Sequence, residues 1–290
     1  MYTVSAQVND ISLLKVPLTP APEFTLNIPS ILSTLSCDPL IKLIYVCSPG
    51  NPTGALIPKS QLQEILEHPT WNGIVVLDEA YIDFAPDGSS LAEWVTEWPN
   101  LVVMQTLSKA FGLAGIRLGA AFAAPPVARL LNNLKAPYNV SSPASAIACQ
   151  GLGKEGLAVM RKNRDKILMQ RERLLCDLLK VKGIGRFRGG TASNFLLVEI
   201  LNRNGQPDND TALAVYERLA EDKGVVVRFR GKEHGCHGCL RITVGTEEEV
   251  TRFLEAIGKA IQEVQGTSSE KIPSDAVEEK KETQANGVIA

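Results

Sequence analysis

Leu101-Val-Val-Met-Gln-Thr-Leu-Ser-Lys-Ala-Phe-Gly112 decides the fold: an apolar, strand-like run that empties into Thr106, Ser108 and a lysine, Lys109. Two earlier runs have the same build. Leu43-Ile-Tyr-Val-Cys47 leads into Ser48-Pro-Gly-Asn-Pro-Thr-Gly54, and Ile74-Val-Val-Leu77 leads into Asp78-Glu-Ala-Tyr81. Short apolar runs spaced by helix-like stretches predict parallel strands with helical crossovers, hence an α/β architecture with a mostly parallel sheet. In such sheets ligands bind outside the carboxyl ends of the strands, which is where these polar groups fall.

Between the strands, Asn27 to Leu35 carries apolar residues at 28, 31, 32 and 35, and Pro58 to His68 carries Leu62, Ile65 and Leu66 on one face; both predict helices. Residues 89–98 are expected to be helical, with Ser90 and Glu93 at capping-box spacing. Residues 12–18 read as a strand and 19–29 as a proline-rich loop. A strand at 120–123 follows Gly119, its direction left open. Residues 142–181 read as one long helical stretch whose basic residues, interleaved with Asp165 and Glu172, form a solvated face. Strands at 194–200, 224–229 and 239–244, with helices at 211–222 and 247–265, predict a second, smaller α/β domain. The expected division is a partial large domain over 1–140, a small C-terminal domain with its linking helix over 141–265, and a disordered tail over 266–290, rich in Ser, Glu, Lys and Gln.

Composition narrows the function. The 290 residues are 44% hydrophobic and 21% charged, enough for a real core, and the net charge of -2 offers no footprint for nucleic acid or an anionic membrane. No signal-peptide pattern or membrane-length apolar run is present. Cys47, Cys149 and Cys176 lie in apolar segments, where a thiol acts as a small hydrophobe. The expectation is a reduced, cytoplasmic protein. His234-Gly-Cys-His-Gly-Cys239 contains a Cys-x-x-Cys pair. One pair does not complete a zinc site, so a polar turn between strands is expected, with no metal. His68, after a helix, is expected at the surface.

Three strand ends carrying Asn51, Asp78 with Tyr81, and Lys109 suggest a pyridoxal phosphate (PLP) site. That chemistry needs a lysine to bond the cofactor aldehyde and carry protons, a carboxylate to keep the pyridine nitrogen protonated, and donors for ring hydroxyl and phosphate. Each residue alone has a commoner role: a surface lysine, a helix cap at Asp78, a packing tyrosine, a turn asparagine. Their order on successive strand ends is what points to the cofactor.

The chain resembles the fold-type I PLP-dependent aminotransferases, most specifically the histidinol-phosphate aminotransferase group. Four stretches carry this: Ser48 to Gly54, Leu77 to Tyr81, Thr106-Leu-Ser-Lys-Ala-Phe-Gly-Leu-Ala-Gly-Ile-Arg117, and Gly238-Cys-Leu-Arg-Ile-Thr-Val-Gly245. The resemblance implies that Lys109 bonds the cofactor and Asp78 pairs with its pyridine nitrogen. It implies that Asn51 and Tyr81 hold the ring hydroxyl, and that Thr106, Ser108 and Arg117 hold the cofactor phosphate. Arg241, Arg228 and Asn194 are then substrate-binding, the two arginines gripping a phosphate with their forked donors. The implied reaction transfers the amino group of histidinol phosphate to 2-oxoglutarate, in a homodimer. The alternatives left open are an aromatic aminotransferase, a phosphothreonine-type decarboxylase, or an inactive chain that keeps the motifs. The family pattern begins before Met1, so an N-terminally truncated chain is expected, lacking the stacking aromatic residue, one phosphate-binding turn and the arm that packs on a partner, and leaving exposed strand edges.

Overall fold

Helix α1 (Tyr2–Val8) opens the computed structural model, which describes residues 2–267. An irregular stretch then leads to α2 (Ile28–Cys37), where Asn27 caps the amide of Ser30 and Pro29 pre-sets the first turn. Strand β1 (Leu43–Cys47), α3 (Lys59–Leu66), β2 (Ile74–Asp78), β3 (Leu101–Thr106) and β4 (Gly119–Ala123) complete the first sheet, in the order β1-β2-β3-β4. The first three strands are parallel, and β4 returns antiparallel to β3. Val46, Val75, Leu77, Leu101 and Val103 pack with Leu62, Ile65 and Leu66 of α3 and Leu35 of α2. Each such side chain contributes roughly 1.5–3 kcal/mol on burial. At the outer strands Leu43, Tyr45 and Phe122 are exposed.

Helices α4 (Pro125–Asn133), α5 (Ser142–Leu152) and α6 (Lys154–Asp177) lead to the second sheet. It is built from β5 (Ile184–Phe187), β6 (Phe195–Ile200), β7 (Arg228–Phe229) and β8 (Cys239–Thr243), wholly antiparallel in the order β5-β6-β8-β7. Helices α7 (Asn209–Lys223) and α8 (Glu247–Thr267) cover one face. Alternation along β6 sorts its side chains. Leu196, Val198 and Ile200 join the core under α7 and α8, whereas Phe195, Leu197 and Glu199 point to the opposite face, toward the first sheet.

Several expectations are corrected. Residues 12–18 are not a strand: Leu13 and Leu14 are exposed, and Pro17 has no amide to give a ladder. Residues 89–98 form only a 3₁₀ segment over Ala92–Thr96. The expected capping box fails because the buried Glu79 takes both the Ser90 hydroxyl and the Leu91 amide. The long helix over 142–181 is two helices that break at Gly153. Only Arg228–Phe229 of the 224–229 run pairs in the sheet. Cys149 and Cys176 are exposed rather than packed. Helix α8 continues through Thr267, and the rest of the expected tail lies outside the described residues.

Candidate active site

Because β1, β2 and β3 are parallel, their carboxyl ends share one sheet edge, and the register sets Asp78 level with Cys47 and Met104. Asp78 is held from two sides. The Ala80 amide donates to its Oδ1 at 2.9 Å, and the Tyr2 hydroxyl donates to its Oδ2. The Tyr2 ring leans on Tyr45, with centroids 4.7 Å apart. Burial, then the hydrogen bond and charge of Asp78, push the Tyr2 hydroxyl well above its ordinary pKa, so it stays a donor. Burial, then the Asp78 charge, push the Cys47 thiol up to about 11. Tyr2 was not legible as a site residue: nothing local marks it, and its partner lies 76 positions away.

Lys109 sits in the turn after β3, where the Gly112 amide bonds its carbonyl and Gly112 adopts a positive φ of 67°. Among the described residues no carboxylate pairs with the lysine; its ammonium lies 5.1 Å from the centroid of the Tyr81 ring. Thr106 and Ser108 are brought together, with hydroxyls 3.0 Å apart and the Ser108 amide donating to Thr106 Oγ1. Arg117 is two positions past Gly115, at φ 53°, and donates to the Ala114 carbonyl at 2.9 Å. No hydrogen bond joins it to Thr106 or Ser108 among the described residues.

The second sheet closes on this edge. Tyr81 meets Phe195 edge to face at 5.0 Å, Arg241 lies over the Phe195 ring at 4.9 Å from its centroid, and Arg241 Nη1 donates to Asn51 Oδ1 at 2.7 Å. A continuous run of contacts therefore joins Lys109, Tyr81, Phe195, Arg241 and Asn51 across both sheets. Phe195 is a further residue with no sequence signal beyond strand hydrophobicity. Backbone fixes the approach: the Gly190 amide bonds the Thr53 carbonyl at 3.0 Å and the Ala192 amide bonds Gly54 at 3.1 Å. A Cβ on Gly190 would come within 2.7 Å of the Gly54 carbonyl oxygen, so only glycine permits this approach.

Arg228 stands opposite Arg241 in the β7–β8 register. Among the described residues its own guanidinium reaches the Val227 carbonyl alone, at 3.4 Å. Burial, then the charges of Arg230 and Arg228, hold the Arg241 pKa below its ordinary value. Asn194 is half-buried at the head of β6, its carbonyl taking the Val244 amide. Residues 234–238 turn from β7 into β8, which begins at Cys239, as expected, yet Cys236 and Cys239 are buried beside Phe24 and Leu197. Burial above all pushes their thiols up to about 11 and about 12.

The family model for aminotransferase class I and II matches residues 1–257. Among curated proteins, the histidinol-phosphate aminotransferase of Schizosaccharomyces pombe is 52% identical over 266 residues, covering 91% of this chain and 68% of that protein. The one from Candida maltosa is 48% identical over the same shares. The chain thus spans about two thirds of the length of these relatives. Among solved structures, the histidinol-phosphate aminotransferase of Sinorhizobium meliloti in complex with pyridoxal-5'-phosphate superposes with a TM-score of 0.79 at 23% identity, over 91% of this chain and 68% of that one. That from Clostridium acetobutylicum gives 0.78 at 21% identity, over 90% and 75%. These structures share the fold-type I architecture. The chain belongs to the class I and II aminotransferase family, among the histidinol-phosphate aminotransferases.

Proposed function

We propose that the protein transfers the amino group of histidinol phosphate to 2-oxoglutarate, giving imidazole acetol phosphate and glutamate, with PLP as cofactor. One observation carries this reading: a lysine with no carboxylate partner among the described residues and an oriented carboxylate share a sheet edge with an arginine from the facing sheet. The residues present fit the cofactor. Asp78 keeps acceptor capacity on both oxygens beyond its two donors, and the Thr106 and Ser108 hydroxyls are neighbours suited to a phosphate.

When bound, PLP supplies an aldehyde that takes up the amine and a ring that accepts electrons from the substrate carbon. Lys109 Nζ would be the group that holds the cofactor through its aldehyde, and its amine would carry the proton at the substrate α-carbon. Asp78 holds a proton on the ring nitrogen, with Tyr2 and Ala80 keeping its carboxylate in place. Tyr81 and the Asn51 amide nitrogen donate to the ring hydroxyl. Thr106, Ser108 and Arg117 bind the cofactor phosphate. Arg241 and Arg228 bind the substrate phosphate, and Asn194 borders the substrate.

On the same reading residues 1–140 carry the cofactor and 141–265 form the smaller domain over it. The protein works as a cytoplasmic homodimer. Six free cysteines suit a reducing compartment, and exposed Leu130, Leu134, Tyr138 and Leu152 suit a partner surface. No helix among the described residues is long and apolar enough to cross a membrane. The test is a visible absorbance scan with added PLP on the chain and on Lys109→Ala, followed by a glutamate-formation assay. A lysine-dependent band with glutamate formed from histidinol phosphate is expected. A band without glutamate would overturn the substrate, and no band would overturn the PLP site.

A further inference from the structure

At the β7–β8 edge, beside Arg228 and Arg241, stands a cation that the reading above does not use, Arg230. Arg228 is opposite Arg241 across β7–β8, and Arg230 follows two residues later, so its side chain leaves the same face. Its amide continues the ladder, donating to the Cys239 carbonyl at 2.9 Å. The intervening Phe229 packs instead against the core under α7 and α8. Three guanidinium groups therefore converge on one side of two short strands.

Their acids do not balance them. Glu233 pairs with Arg230 Nη1 at 2.7 Å. Glu199, the other acid of this face, is engaged by Arg186 and Arg188 at 3.3 and 3.2 Å. Among the described residues that leaves Arg228, Arg230 and Arg241 with a single paired carboxylate, Glu233. The Nε atoms of Arg230 and Arg241 are both buried without a hydrogen-bond partner among the described residues. Unmade buried donors and crowded like charges are both unfavourable until an anion arrives.

We propose that Arg230 is a third guanidinium of the substrate-anion site, and that it weights this site toward a dianionic phosphate over a single carboxylate. The proposal rests on the phosphate-substrate reading above. The physical basis is charge and geometry. A phosphate monoester presents three acceptor oxygens and nearly two charges, so a third forked cation adds a charge-assisted bond. A carboxylate has two oxygens and one charge, and the Arg228–Arg241 pair suffices for it. The same site must take both in turn, since the amino donor carries a phosphate and the acceptor a carboxylate. Arg230 is thus a specificity-determining residue, held in place by Glu233.

The test compares the PLP-saturated chain with Arg230→Gln and Arg230→Lys, following the cofactor absorbance while histidinol phosphate or glutamate is titrated in. Arg230→Gln is expected to weaken histidinol phosphate about 10- to 100-fold, the range for a hydrogen bond to a charged group, and glutamate by less than about threefold. Arg230→Lys, which keeps the charge and loses the fork, falls between. Equal weakening of both ligands, or of neither, overturns the proposal. Calorimetric titration of the PLP-saturated chain with inorganic phosphate separates this from the substrate reading. Phosphate binding at least tenfold weaker in Arg230→Gln supports the third cation even if histidinol phosphate is not turned over. Unchanged phosphate binding overturns it even if turnover is normal.

Discussion

Replacing Glu79 by alanine is expected to cost far more stability than replacing it by glutamine. Glu79 is 1% exposed at the end of β2, directly after Asp78, and so faces away from the site edge. Its Oε1 accepts the Leu91 amide at 2.7 Å, and its Oε2 accepts the Ser90 hydroxyl at 2.7 Å and Gln105 Nε2 at 2.8 Å. One carboxylate thereby ties β2, the 90–91 segment and β3 together. Hydrogen bonds to a charged acceptor contribute about 1.5–3 kcal/mol each. In Glu79→Ala the exposed Ser90 and the half-buried Gln105 recover water, while the Leu91 amide is left in a buried position. The net loss is about 3–5 kcal/mol with the packing of the missing methylenes included. Glutamine keeps a carbonyl for Leu91. Its NH₂ can face a rotated Ser90 hydroxyl and a turned Gln105 amide, so the loss is about 1–2 kcal/mol. Urea unfolding at neutral pH, read by far-ultraviolet circular dichroism, measures both. At about 2–4 °C per kcal/mol for a chain of this size, the alanine variant should also melt roughly 10 °C lower. Equal losses for the two variants, or an alanine loss below about 1 kcal/mol, would refute the reasoning.

The inter-sheet backbone contact gives a second expectation. Gly54 has a φ of 65°, and an added Cβ would lie 2.7 Å from the Gly190 carbonyl oxygen. Gly54→Ala should therefore cost clearly more than Gly88→Ala, where φ is 78° but nothing lies within 4 Å. The latter should show only the left-handed backbone penalty, about 1–2 kcal/mol, in the same urea assay. At the start of α8 the Thr246 amide and hydroxyl donate to Glu249 Oε2 at 2.7 and 3.0 Å, and the Glu249 amide returns to Thr246 Oγ1. These bonds hold the Glu249 pKa below its ordinary value. A lowered folded pKa gives stability that is present above the unfolded value of about 4.3 and lost as pH falls through the folded one. Glu249→Ala should thus cost about 0.5–1 kcal/mol at neutral pH and nothing in strong acid, as paired unfolding curves across pH would register. Finally, brief alkylation at mildly alkaline pH, mapped by mass spectrometry, should label exposed Cys37, Cys149 and Cys176 ahead of Cys47, Cys236 and Cys239. The latter thiols are pushed up to about 11, 11 and 12 by burial. Early label on Cys236 or Cys239 would contradict this.

What was legible in the chain follows from how local each signal is. The runs at 74–77 and 101–105 read directly as strands because inner parallel strands are covered on both faces, and that coverage demands continuous apolar residues; the run at 43–47 forms the outer strand, and its apolar Leu43 and Tyr45 stay exposed. Asp78, Tyr81, Thr106, Ser108 and Lys109 stand where each run stops, so their common edge followed from strand direction alone. The misreadings trace to surroundings that the local sequence does not record. Ser90 and Glu93 had capping-box spacing, but a buried carboxylate eleven residues back captured Ser90. Residues 12–18 had strand composition but nothing to pair with, and composition does not reveal a missing neighbour. Cys149 and Cys176 sit among apolar residues in sequence but on the outward faces of α5 and α6. Tyr2 and Phe195 became visible only through contacts with residues far away in sequence.

Those long-range contacts also mean that the two ends of the site are not independent. Arg241, the strongest candidate for the substrate anion, is bonded to Asn51, which on the proposed reading also holds the ring hydroxyl of the cofactor. Arg241 further lies over Phe195, and Phe195 over Tyr81, whose ring carries Lys109. An anion that draws the Arg241 guanidinium toward itself must therefore strain or release Asn51 and shift the aromatic pair beside the lysine. The backbone bonds from Gly190 to Thr53 and from Ala192 to Gly54 limit how far the sheets can separate in response. On the proposed reading, anion binding and lysine position are thus expected to be coupled through contacts of about 1 kcal/mol each, small singly but all in series. A site so wired would distinguish substrates by where their charge pulls Arg241 as well as by how tightly it is held. It follows that Asn51→Ala should change both cofactor absorbance and substrate affinity, whereas a purely local asparagine would change only the first.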